Sequence, residues 1–173
     1  MKNITLPLTT EIINSLKAGD KILLSGEILT ARDAAHKRIT DLIKENKQLP
    51  FNLQGRTIYY AGPCPAPENK ASGSCGPTTS TRVDDYTPLL LDCGLKGMIG
   101  KGGRKDFVID SMKKNNAVYF AAIGGCGAMY GNAIISSEVL AFPELLSEAV
   151  HKLTVKNFPV IVAIDNKGNS IYY

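Results

Sequence analysis

The sequence predicts an α/β fold with a mixed sheet and flanking helices, and three observations carry that prediction. Short stretches rich in β-branched residues alternate with stretches of helical period along the whole chain. Glycine and proline punctuate the boundaries between them. The chain also ends on two extended stretches around the turn Asp165-Asn166-Lys167-Gly168-Asn169, the pattern of a hairpin, which makes at least one pairing antiparallel. With 173 residues the chain is long enough to bury one core, and a single domain over 1–173 is expected.

Taken in order, Thr9 or Thr10 caps a short helix through Glu11 to Lys17, ended by Ala18-Gly19-Asp20. Lys21 to Thr30 reads as a strand in which Gly26 permits a bulge or a close approach of another backbone. Thr30 is expected to open a helix from Ala31 to Lys44, with Ala35, Ile39, Leu42 and Ile43 on one face. Thr57 to Ala61 is a strand stopped by Gly62-Pro63, and the Pro-, Gly- and Ser-rich run from Cys64 to Cys75 is a surface excursion. Thr87-Pro88 offers a cap and a first-turn proline for a helix to Cys93, closed by Gly94. Lys96 to Gly100 is a short buried strand, Lys105 to Lys114 a helix, and Ala117 to Ile123 a strand ended by Gly124-Gly125-Cys126-Gly127. Ile134 to Phe142 mixes strand and turn, and Pro143 is expected to begin a helix to Val150 with His151 at its C-terminal end. Val160 to Ile164 and Ser170 to Tyr173 are the two arms of the terminal hairpin.

Composition excludes several classes. The chain is 44% hydrophobic and 21% charged, and no apolar run approaches the roughly 18–20 residues of a membrane span. The N-terminal residues lack the apolar core and cleavage site of a secretion signal, so a cytoplasmic protein is expected. A net charge of +4 spread along the chain, without a basic block, argues against nucleic acid as partner and leaves small anions open. Cys64, Cys75, Cys93 and Cys126 contain no CxxC pair, and neither His36 nor His151 stands at ligand spacing from them, so this chain is expected to hold no metal. A reducing compartment also argues against a Cys64–Cys75 disulfide.

The residues most suited to chemistry are Gly76-Pro77-Thr78-Thr79-Ser80-Thr81-Arg82. A Gly-Pro break followed by four hydroxyl residues and a guanidinium forms a loop whose donors can converge on an anion, with Arg82 offering the planar fork that fits a carboxylate. Two further islands add cations. Arg32 and His36 are i, i+4 neighbours near the start of a helix, where free amides and the dipole also favour an anion. Lys101 stands between glycines in Gly100-Lys101-Gly102, which is not a Walker loop because GxxxxGK[ST] is absent. Cys126, without a nearby base or cation in sequence, reads as a small packed residue.

Arg32-Asp33-Ala34-Ala35-His36, Tyr60-Ala61-Gly62-Pro63, Gly76 to Arg82 and Gly100-Lys101-Gly102, in this order and spacing, resemble the β subunit of class I (iron-sulfur) fumarate hydratase and L-tartrate dehydratase, a module that is the C-terminal domain where both parts are fused. Each island alone is weak; four in register are specific. The resemblance implies a swivelling β/β/α domain closing over a 4Fe-4S cluster held by three cysteines of an alpha subunit, with a hetero-oligomer of alpha and beta chains acting on a small dicarboxylate. None of the four cysteines here falls in a family motif. The resemblance further implies that Thr78 is the catalytic base, that Arg32, Arg82 and Lys101 grip the dicarboxylate, and that Thr79, Ser80 and Thr81 line the same loop. His36 stands beside them as an acid–base candidate, since an imidazole ordinarily titrates near neutral pH, or alternatively as an orienting residue. The activity implied is a hydro-lyase interconverting malate and fumarate; the alternatives are tartrate dehydration and a stand-alone dicarboxylate-binding module without catalysis.

Overall fold

A computed structural model describes residues 1–172. Among these, seven strands form one sheet: β1 (Lys2–Thr5), β2 (Lys21–Thr30), β3 (Thr57–Tyr59), β4 (Gly97–Gly100), β5 (Val118–Ala121), β6 (Ile134–Ala141) and β7 (Val150–Ile164). Five α-helices accompany them: α1 (Thr10–Ser15), α2 (Asp33–Lys44), α3 (Thr87–Asp92), α4 (Asp106–Asn115) and α5 (Gly127–Asn132). Strands β2, β3, β4 and β5 run parallel, each beside the next. Parallel neighbours need crossover connections, and α2, α3 and α4 lie within those connections. β7 then pairs antiparallel with both β5 and β2, which closes the sheet into a barrel. β1 and β6 extend it at the flanks.

Alternation along the strands sorts the core into two layers. Tyr59, Ile99 and Phe120 point into the barrel with Leu24, Phe158 and Val162. Their neighbours Ile58, Met98 and Tyr119 point outward, against Ala35 and Ile39 of α2, Leu90 and Leu91 of α3, and Val108 and Met112 of α4. Both faces of β3 and β4 are therefore covered, as parallel strands require. Each large apolar side chain so buried contributes about 1.5–3 kcal/mol.

The mixed α/β class holds, although the antiparallel component comes from β7 rather than from a terminal hairpin. Lys21 to Thr30 forms β2 with the expected bounds, and Gly26 has φ +123 with Leu6 so near that an added Cβ would lie 3.0 Å from Leu6 Cβ. Thr30 does not cap α2. It ends β2 fully buried and accepts from the His151 amide at 3.1 Å, so the helix starts three residues later with Arg32 at its N-cap. Thr87 likewise lies inside α3, its hydroxyl donating to the Val83 carbonyl at 2.9 Å. Pro143 opens only a 3-10 turn, Pro143–Glu148, interrupted at Leu146 (φ 54, ψ −117). His151 consequently sits in β7 rather than at a helix end.

β7 is a single strand where a loop and a short strand are expected. Asn157 (φ 54) bulges out and donates its amide to Ser25 Oγ at 3.0 Å, where β2 and β7 shift register, and this lets the strand pass Pro159. The terminal segment meets β7 through an antiparallel bridge of Ser170 to Ile164, with the Ile171 amide donating to the Ala163 carbonyl at 3.0 Å; the last residue of the expected hairpin lies outside the described residues. No helix among the described residues is long and apolar enough to cross a membrane.

Candidate functional site

The four parallel strands end on one rim, and the segments singled out from the sequence leave from it. Arg32 follows β2, Gly62 follows β3, Lys101 follows β4, and the Gly124 turn follows β5. The carboxyl ends of parallel strands are where α/β sheets place their ligands, because the loops there converge on a common space.

The Thr78-to-Arg82 loop is laid against this rim as an added strand. Thr78 donates its amide to the Tyr60 carbonyl at 2.7 Å and its hydroxyl to the same carbonyl at 3.1 Å. Thr79 bridges Lys101 in parallel register, with Lys101 donating to the Thr78 carbonyl at 3.3 Å and Ser80 donating to the Lys101 carbonyl at 3.0 Å. Thr78, Thr79, Ser80 and Lys101 are thus brought together. Ser80 then enters a 3-10 turn, Ser80–Val83, which leaves Thr81 and Arg82 exposed. Lys101 is exposed too, its chain running over Gly124, where a Cβ would stand 3.4 Å from Lys101 Cδ. Among the described residues neither Arg82 nor Lys101 has a carboxylate partner.

Ser80 differs from its neighbours. Its side chain is fully buried and its hydroxyl lies 2.7 Å from Tyr119 Oη. What it offers is support to the loop, since hydroxyl and amide are both engaged. Gly100 is held to glycine by the same contact: a Cβ there would overlap Ser80 Oγ and lie 2.7 Å from Tyr60 Cδ2.

Arg32 and His36 share the first turn of α2. Arg32 Nε faces Glu148 Oε1 at 3.3 Å, an ion pair without hydrogen-bond geometry, so Nε counts as buried and unpartnered among the described residues. The 3-10 turn carrying Glu148 packs down on Gly62, where a Cβ would lie 2.7 Å from the Ser147 carbonyl and 3.3 Å from Arg32 Cδ. His36 is fully buried, edge-on to Tyr60 with ring centroids 5.4 Å apart, and its Nδ1–H donates to the Arg32 carbonyl at 2.8 Å. That bond leaves Nε2 as the lone-pair nitrogen, buried without a partner among the described residues. The expected titration of His36 near neutrality is corrected: burial, ahead of the Arg32 carbonyl's opposing pull, lowers its pKa to about 4, so the imidazole is neutral.

Beneath the loop lies a residue that sequence reasoning missed. Arg104 is fully buried, its Nε 2.6 Å from Asp84 Oδ1, with its other nitrogens donating to Thr87 Oγ1 at 2.7 Å and Tyr60 Oη at 3.1 Å. The guanidinium stands 5.3 Å from the Tyr60 ring centroid and 5.1 Å from that of Tyr119. Asp84 also accepts from the Lys105 amide at 3.0 Å. The sequence signal of this pairing is slight: one arginine between Gly103 and Lys105, and the Asp84-Asp85 pair just after Arg82.

All four cysteines are outside disulfides: Cys64 is exposed, Cys75 buried, and Cys93 and Cys126 half-buried. Among the described residues no group of three His, Cys, Asp or Glu side chains is placed to hold an ion.

A mixed barrel whose parallel strands end in a basic, hydroxyl-lined rim defines a mixed α/β domain. The family described as Fumarase C-terminus matches residues 1–173, and the chain belongs to that family. It is 40% identical over 171 residues to a protein provisionally named L(+)-tartrate dehydratase subunit beta from Methanocaldococcus jannaschii, covering 95% of this chain and 88% of that protein. It is 39% identical over 154 residues to the anaerobic class I fumarate hydratase of Escherichia coli (88% of this chain, 28% of that protein). It is also 39% identical over 162 residues to fumarate hydratase 2 of Leishmania major (92% of this chain, 28% of that protein). The chain therefore spans 28–32% of the fumarate hydratases it matches and 88% of the tartrate dehydratase subunit.

Proposed function

We propose that this chain is the carboxylate-binding part of an iron-sulfur hydro-lyase, acting with an alpha partner to interconvert a 2-hydroxy dicarboxylate and its dehydrated product, malate and fumarate first among them. The single observation that carries the reading is the assembly on one rim of the Thr78-to-Arg82 loop and Lys101, with two exposed cations that no carboxylate of the described chain neutralises.

A 2-hydroxy diacid carries two negative charges, and proton removal beside one carboxylate adds a third in the aci-carboxylate. Arg82 and Lys101 supply fixed positive charge for that build-up, and Arg82 offers a fork that also orients the guest. Arg32 joins them from the start of α2 by exchanging Glu148 for a substrate carboxylate. Thr78 Oγ1 is the acceptor of the substrate proton. A threonine hydroxyl is a weak base, and the neighbouring cations lower the cost of freeing its oxygen. In this state its own proton points to the Tyr60 carbonyl, and it must leave to bulk water before Oγ1, as the alkoxide, takes the proton from the substrate carbon and becomes a hydroxyl again. His36, neutral and buried, orients Arg32 through the Arg32 carbonyl rather than shuttling protons at neutral pH.

The 4Fe-4S cluster of the class does not fit this chain's scattered thiols, so we assign it to the alpha partner. We also read the barrel with its helices as the swivelling domain of such an enzyme, working in the cytoplasm as one part of an alpha–beta assembly. Tartrate is the second reading, favoured by the match across 88% of a tartrate dehydratase subunit.

Anaerobic coexpression with the alpha partner, followed by assay of malate, fumarate and both tartrates, tests the proposal. Turnover of one of these by the complex and not by this chain alone is expected; a complex inert toward all four overturns it.

A further inference from the structure

Among the described residues, Tyr119 is the side chain whose hydroxyl touches both segments of the rim that carry the proposed binding residues. It lies on β5 opposite Met98 of β4, with its ring fully buried in the outer layer. Its Oη meets Ser80 Oγ at 2.7 Å on one side and donates to the Gly102 carbonyl at 2.8 Å on the other. A phenol has a single proton. Since Gly102 can only accept, that proton goes to Gly102, and Ser80 must donate its own to the phenol oxygen. The two bonds have a fixed order, Ser80 to Tyr119 to Gly102.

The geometry gives this chain of bonds a specific task. Lys101 is tied from one side by the added-strand pairing to Thr78 and Ser80. On its other side follow Gly102 (φ +81) and Gly103, which have the freedom to move. The Tyr119 hydroxyl removes that freedom by anchoring the Gly102 carbonyl, and it fixes the separation between Ser80 and Gly102, hence between the hydroxyl loop and Lys101. Arg104 in turn holds the Tyr119 ring from below, 5.1 Å from its centroid. Burial pushes the Tyr119 phenol well above its ordinary value, so the proton that the arrangement needs stays in place across the working pH range.

We propose that Tyr119 is a positioning residue of the hydro-lyase, setting the distance between the Thr78-to-Arg82 loop and Lys101 so that both engage one dicarboxylate. The inference rests on the functional reading above.

The test is Tyr119→Phe in the alpha–beta complex, which keeps the ring and deletes both bonds. Three quantities are measured: kcat/KM for the diacid that the wild-type complex turns over, the dissociation constant of succinate as an unreactive dicarboxylate, and the melting temperature. The expected result is a loss of roughly ten-fold or more in kcat/KM and a matching weakening of succinate, as misplacement by a fraction of an ångström produces. Ser80→Ala, which cuts only the upper bond, should move both in the same direction by less, and it decides the matter if the phenylalanine variant does not fold. A lowered melting temperature with kcat/KM and succinate binding unchanged overturns the proposal, because it leaves Tyr119 a purely structural role. A wild-type complex that neither turns over a hydroxy diacid nor binds succinate is a different failure: it removes the hydro-lyase reading, and this proposal with it.

Discussion

Arg104 Nε lies 2.6 Å from Asp84 Oδ1, and neither side chain reaches solvent. A buried ion pair adds little net stability over an apolar pair of the same shape, but removing one partner strands the other charge. Asp84→Ala should therefore cost about 3–5 kcal/mol, read as a shift in the urea midpoint, while a variant replacing both residues by apolar ones should lose less. Equal loss in the single and double variants contradicts the stranded-charge account.

Arg82 and Lys101 should separate function from folding. Both are exposed and without an ion-pair partner among the described residues, so alanine at either site should change stability by no more than about 0.5 kcal/mol. In the complex, each should lower kcat/KM by about a hundred-fold or more through loss of a charge-assisted contact to the transition state. Wild-type turnover by either variant removes that residue from the site.

His36 makes stability depend on acid. Its folded pKa of about 4 lies below the unfolded value of 6.5, so the unfolded chain takes up a proton first. The contribution of neutral, buried His36 is complete above pH 6.5 and declines as pH falls from there toward 4, by roughly 3 kcal/mol in all. His36→Gln should flatten this stretch of the stability–pH curve; an equally steep fall in the variant assigns the acid sensitivity elsewhere.

On the proposed reading, Glu148 competes with substrate for Arg32. The pair is about 30% exposed on each side, so its own worth is small, below about 1 kcal/mol. Glu148→Gln frees the guanidinium, and succinate should bind the complex a few-fold more tightly with the melting temperature unchanged. Weaker binding instead makes Glu148 a residue that aims Arg32.

The parts of this fold that can be read in one dimension are those decided locally. β2 follows from its aliphatic Ile and Leu residues, and its bulge from Gly26; α4 follows from its period and ends in the left-handed Asn116. The islands of the rim are readable for a related reason, since hydroxyls, cations and glycines crowd into short stretches. What escapes is decided by distant partners. Thr30 forgoes a cap because β7 supplies the His151 amide, and Asn157 and Pro159 look like breakers yet continue a strand because Ser25 receives the bulge. Leu146 and its turn depart from a helix where the chain must drop onto Gly62. Arg104 shows no local sign of burial: only the fold brings Asp84, Thr87 and two tyrosines around it.

β7 grips β2 along most of its length and β5 at its far end. It works as a hoop around staves: the mouth of such a vessel cannot widen at one point without breaking rungs elsewhere. On the reading proposed above, a guest is then released by tilting of the whole vessel against the alpha partner and not by opening of the mouth itself.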